Sequence, residues 1–169
     1  MGNLLKFFLP KQNSRLVTPR GFSLLEILIV IAIIAVISAI GSGFYLNYGR
    51  VIELNSTAES ISFDLKLAQS KSMSGEGGFF WGLHFVNGTS QQYYEIFSTP
   101  TNYSDAGKAV IATNYLSNGI TFATPAPAIS LDILFSKISG STASSSVAIV
   151  NQSGSKTVSV SSVGAITVQ

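Results

Sequence analysis

The sequence predicts an α+β fold. A long N-terminal helix, apolar all round in its first half and amphipathic in its second, packs on a C-terminal antiparallel β-sheet or small β-sandwich. Three observations carry the prediction. Residues 22–40 form an apolar run with a single charge, Glu26. Beyond Leu46 apolar residues recur on one helical face, and no proline interrupts the chain from Phe22 to Thr99. From residue 79 the apolar spacing changes from helical to alternating, with turn residues roughly every ten positions.

Composition narrows the class. The chain has 169 residues and no cysteine, enough for one domain with one extra element. Charged residues are 11% and hydrophobic residues 46%, where an average soluble domain is about 25% charged. That excludes a disordered tail. The missing cysteine excludes a disulfide scaffold, a cysteine zinc site and a lipidated anchor. The net charge of +2 conceals a partition: residues 1–21 carry Lys6, Lys11, Arg15 and Arg20 and no acid, whereas the rest of the chain is net negative.

Taken in order, the leader (1–21) is basic. Residues 22–40 would extend roughly 28 Å as a helix, close to the ~30 Å hydrocarbon core of a bilayer. The run continues more loosely through Gly41-Ser42-Gly43 to Phe44, Tyr45 and Leu46, with aromatics suited to the interface. Basic residues before the span, and only Arg50 soon after it, orient the N-terminus to the cytoplasm and the remainder outside. The predicted place is therefore the cytoplasmic (inner) membrane, crossed once. In 47–74, Leu54, Ala58, Ile61, Leu65 and Ala68 step by four, three, four, three, a single helical face, with Glu53, Glu59, Lys66 and Lys71 off it. That stripe must dock on something outside the membrane. Ser74-Gly75-Glu76-Gly77-Gly78 ends the helix.

The β domain, 75–169, opens with aromatic-rich strands at 79–86 and 92–97, joined by the hairpin signal Asn87-Gly88. Further strands are predicted at 109–115, 120–122, 130–135, 146–151, 157–161 and 165–168. Phe79, Trp81, Leu83 and Phe85 alternate onto one face, a core pattern, and His84 falls on the other. His84 is the only histidine, so neither a histidine-centred metal site nor a Ser-His pair has support. Glu95, Asp105 and Asp132 are scattered without calcium-loop spacing, and Gly75, Gly77 and Gly78 close a helix instead of opening one, unlike a phosphate loop. No enzyme constellation, metal or cofactor is expected.

Glu26 is the informative residue. A carboxylate inside an apolar span is costly, roughly 2.5–3.5 kcal/mol on insertion scales, and calls for a partner. The span itself offers no cation. The ordinary alternative is a side chain reaching back to the interface from five positions inside the run.

The segment Arg20-Gly21-Phe22-Ser23-Leu24-Leu25-Glu26 resembles the processing site of type IV prepilins and type II secretion pseudopilins: a basic leader ending in glycine, then phenylalanine, then a glutamate at the fifth mature position before a long apolar run. Gly21, Phe22 and Glu26 match, and the helix-then-strands order matches a pilin-like fold. The resemblance implies cleavage between Gly21 and Phe22 by a membrane prepilin peptidase, N-methylation of Phe22 by the same enzyme, and pairing of the Glu26 carboxylate with the new N-terminal amine of a neighbouring subunit. It implies as partners the prepilin peptidase/methyltransferase, other pilins or pseudopilins, an inner-membrane assembly platform and the membrane, and as destination an extracytoplasmic filament. The 79–86/92–97 hairpin and the ending VSVSSVGAITV resemble minor pseudopilins of the H type, with major pilins the main competitor.

The expected function is thus a structural subunit of a type IV pilus-like or type II secretion filament. A DNA-capturing minor pilin is the second reading. The last 60 residues hold only Lys137 and Lys156 and no arginine, and phosphate contacts drive such binding, so nucleic acid is disfavoured. A β protein released by signal peptidase near residues 39–43 is the third; it leaves Glu26 and the amphipathic continuation unexplained.

Overall fold

The computed structural model describes residues 21–169, with the side chains of residues 40–46 excepted. The basic leader with Lys6, Lys11, Arg15 and Arg20 lies outside the described residues.

Helix α1 (Leu24–Met73) starts where the Ser23 carbonyl accepts the Glu26 and Ile27 amides, at 3.0 and 3.2 Å. It stops just before Gly75, whose φ of +67° is the left-handed conformation that glycine adopts without a Cβ clash at a helix end. The chain divides into two units, residues 1–41 and 42–169. In the first unit all described side chains are exposed. Among the described residues no helix is long and apolar enough to cross a membrane. The predicted span, 22–40 with its continuation to Leu46, runs into residues 40–46, so its described side chains end at Ala39.

In the second unit the predicted helical stripe is the part of α1 that packs. Leu54 is 4% exposed, and Ala58, Ile61, Leu65 and Ala68 are fully buried. Eight strands follow: β1 (Phe80–Asn87), β2 (Gln92–Thr99), β3 (Ala109–Tyr115), β4 (Thr121–Thr124), β5 (Ser130–Phe135), β6 (Ser145–Asn151), β7 (Gly154–Val160) and β8 (Ile166–Val168). They form two antiparallel four-stranded sheets, ordered β3-β2-β1-β5 and β4-β6-β7-β8. In the first sheet Leu83 lies opposite both Ile96 and Ile133, and Phe85 opposite Tyr94 and Leu131. In the second, Ile149 lies opposite Phe122 and Lys156. The inner faces of both sheets and the helical stripe make one core that includes Leu83, Phe85, Ile133, Phe122, Val147 and Val158. Each such side chain contributes on the order of 1.5–3 kcal/mol by leaving water.

Polar contacts fix the packing. The Ser72 hydroxyl donates to the Phe135 carbonyl at 2.7 Å. The Gln69 amide reaches the carbonyls of Gly140 and Gly164. Asn87, 2% exposed, joins the two sheets: its amide donates to the carbonyls of Phe122 at 3.1 Å and Pro125 at 2.7 Å.

One element differs from the alternation read in the sequence. Trp81, Leu83 and Phe85 are in the core, but Phe79 is 38% exposed and precedes β1. A short 3-10 turn, Glu76–Gly78, comes first, and Phe79 is its extended cap. Gly75, Gly77 and Gly78 all have positive φ, so the strand period starts only after them.

Candidate processing and assembly site

Gly21, Phe22 and Glu26 stand together at the start of α1. Gly21 precedes the helix, and a Cβ built on it meets nothing within 4 Å. Packing among the described residues therefore places no demand for glycine there. Phe22 is 77% exposed. Glu26 is exposed and lies in the first turn of α1, where the positive end of the helix dipole favours a carboxylate. The dipole is a stabilising influence that the apolar run alone did not reveal. Among the described residues the ion pairs are Lys71–Glu76, at 2.7 Å, and His84–Asp132. Neither supplies a cation to Glu26.

The other singled-out residues go elsewhere. His84 lies on the outer face of the first sheet and is 7% exposed. Its Nδ1 contacts Asp132 Oδ1, and its ring stacks on Tyr103 with centroids 3.5 Å apart and planes 6° from parallel. Lys108 Nζ lies 3.5 Å from the Tyr103 ring centroid. The Tyr103 hydroxyl donates to Glu95 Oε2 at 2.6 Å. Burial first, then the hydrogen bond and charge of Glu95, raise the Tyr103 pKa above its ordinary value. The stack fastens the loop between β2 and β3 over the sheet. Among the described residues no group of three or more His, Cys, Asp or Glu side chains could hold a metal ion. Asp105 is part of the same loop: Thr101 Oγ1 donates to its Oδ2 at 2.6 Å and the Gly107 amide to its Oδ1 at 2.8 Å, which lowers its pKa.

Sequence reasoning missed Asp64. Its Oδ2 accepts the Tyr94 hydroxyl at 2.7 Å and the Asn114 amide at 3.1 Å, tying α1 to β2 and β3. Burial, with the adjacent Asp64 next, raises the Tyr94 pKa. A helical period marks which face is apolar. It does not say which polar flank meets a tyrosine thirty residues on.

A long N-terminal helix whose second half docks on two antiparallel sheets is a pilin-like arrangement. Residues 19–42 match the family described as "Prokaryotic N-terminal methylation motif". The fold is similar to that of the minor pseudopilin EpsH from the Type 2 Secretion System of Vibrio cholerae. The TM-score is 0.52 at 14% identity, over 69% of this chain and 96% of that one. None of the curated proteins compared matches the sequence. At that identity the likeness is one of fold. Motif and fold together support a type IV pilin or pseudopilin, with the fold neighbour on the H-type branch.

Proposed function

We propose that the chain is a structural subunit, of minor pilin or pseudopilin type, in a type II secretion or type IV pilus-like filament. One conjunction carries the reading: a methylation motif over 19–42, with Gly21, Phe22 and Glu26 in register, precedes a fold similar to a minor pseudopilin. Prepilin peptidase cuts between Gly21 and Phe22, and Phe22 is N-methylated. The leader, 1–21, is lost. The apolar half of the helix, 22–46, holds the subunit in the inner membrane and then lies among other helices. The outer half, 47–74, and the β domain, 75–169, stay outside.

Glu26 then has a specific task. Cleavage creates a cationic amine at Phe22, and the carboxylate of an adjacent subunit neutralises it as the helices come together. Two opposite charges entering an apolar surrounding as a pair avoid most of the penalty each meets alone. The role is structural, not catalytic, and the partners are the processing enzyme, other pilins and the assembly platform.

The test is mass spectrometry of the protein's N-terminus in its host, with fractionation of sheared filaments. The expected product begins at methylated Phe22 and is found in the filament fraction. A product that keeps Lys6 and Arg15, or begins near Ser42, would overturn the reading.

A further inference from the structure

A groove of about 690 Å³ runs between α1 and the edge strand β3, outside the processing site. Three aromatic side chains line it: Phe63 on the helix, 66% exposed, Tyr115 on the strand, 61% exposed, and the buried Tyr94. The charged residues lining it are both acids, Glu59 and Asp64. Asp64 is half-buried, and its Oδ2 already holds Tyr94 and Asn114, two neutral donors. No cation among the described residues reaches either carboxylate. Lys71 is bound to Glu76, Lys108 sits over Tyr103, and Lys137 donates to the Gly78 carbonyl.

Two large exposed rings on one small patch are unusual on a surface that stays in water. The half-buried Asp64 carboxylate lines the same groove and has no cation in ion-pair reach among the described residues. The missing group has a definite chemistry: a cation on an apolar stem, which can lie along ring faces while its head meets a carboxylate. We propose that this groove is an intersubunit socket, filled in the filament by a lysine or arginine side chain from an adjacent subunit. The proposal rests on the filament reading above and adds a second charge-neutralising contact, far along the chain from Glu26. The edge position of β3 suits this, because one flank of that strand has no partner strand in the sheet.

The experiment uses the full chain in its host, with p-benzoylphenylalanine in place of the exposed Phe63 and, as control, in place of Ile138, which is 81% exposed. After irradiation, filaments are sheared off and the adducts sequenced. The Phe63 probe is expected to attach to another filament subunit within a few residues of a lysine or arginine. Adduct per incorporated chain should fall about tenfold in Glu59→Lys, as for a close charge pair made repulsive. Glu53→Lys, which changes an acid outside the groove, should leave it unchanged. Exclusion of Glu59→Lys from filaments while Glu53→Lys enters them counts as the same expected loss. A Phe63 adduct on a secreted protein, on a segment lacking a cation, or at a yield insensitive to Glu59→Lys overturns the socket. So does a silent Phe63 probe in a chain that has entered filaments, and these results leave the filament reading standing. A chain found absent from filaments altogether removes that reading and the socket with it.

Discussion

The Gln69 side-chain amide donates to two carbonyls at once, that of Gly140 at 3.0 Å and that of Gly164 at 2.8 Å. One helical residue thereby pins two loops of the β domain, 71 and 95 positions away. The fit is close. A Cβ on Gly164 would lie 2.2 Å from the Gly140 oxygen and 2.3 Å from Gln69 Nε2, and the φ of Gly164 is +84°. Gly164→Ala is therefore expected to lower stability by about 2–4 kcal/mol, combining a strained conformation with a lost latch. Gly49→Ala provides the contrast: helical, with nothing within 4 Å of the added methyl, it should be neutral or stabilising by up to about 1 kcal/mol. Thermal unfolding of the full chain in detergent measures both, and equal midpoints would discredit the latch.

The two faces of the outer helix should respond differently to truncation. Leu65 is fully buried and Phe63 is 66% exposed. Leu65→Ala leaves a cavity in the core and should cost about 2–5 kcal/mol. Phe63→Ala should change folding stability by no more than about 0.5 kcal/mol. Denaturant unfolding separates them, and a large loss at Phe63 would mean that its ring supports the subunit's own fold.

Much of this architecture is legible in local sequence, because each element announces itself. The four-three-four-three stripe from Leu54 to Ala68 is the buried face of α1, and each predicted strand contains or overlaps an observed one. Partner choice is not local. β5 passes over β4, its neighbour in sequence, and pairs with β1, setting Asp132 opposite His84. No turn signal encodes that crossover. The His84–Asp132 contact depends on it, and the Gln69 latch depends likewise on the distant Gly140 and Gly164. At the N-terminus, the motif over residues 19–42 was legible because it lies in spacing along the chain; the roles of Gly21, Phe22 and Glu26 within it are proposed. The placement of Glu26 in the first helical turn required knowing where the helix starts.

Alkaline pH should loosen the sheet before it affects the rest. Both Tyr94 and Tyr103 have pKa values raised above the ordinary tyrosine value near 10, chiefly by burial and then by Asp64 and Glu95 respectively. Between the unfolded and folded values the native state binds more protons than the unfolded state, so stability falls as pH rises. It is fully present below about pH 10 and declines above it. Tyr103→Phe and Tyr94→Phe should each flatten that decline. Unfolding midpoints measured from neutral pH to above pH 10 test this, and identical alkaline slopes in wild type and the double variant would remove these two hydroxyls from the account.

Processing, folding and assembly should come apart at the N-terminus. Gly21 has open space around its missing Cβ, so Gly21→Val should leave the unfolding midpoint of the outer unit unchanged while uncleaved precursor accumulates. On the proposed reading the glycine serves entry to the cleft of the processing enzyme, and this pair of measurements tests that. Glu26→Ala should do the reverse. It removes an exposed side chain in the first turn of α1, forfeiting at most about 1 kcal/mol of interaction with the helix dipole, and it leaves Gly21 and Phe22 in place. Cleavage and methylation should proceed, but the processed chain should stay in the membrane fraction, because the amine of a neighbouring Phe22 would enter an apolar surrounding unpaired. Glu26→Asp retains the charge on a shorter side chain and should restore part of the incorporation. Precursor-to-product ratios on gels, read beside filament fractionation, separate the two steps. Efficient incorporation of Glu26→Ala would break the link between the carboxylate and the new amine while leaving the cleavage site untouched.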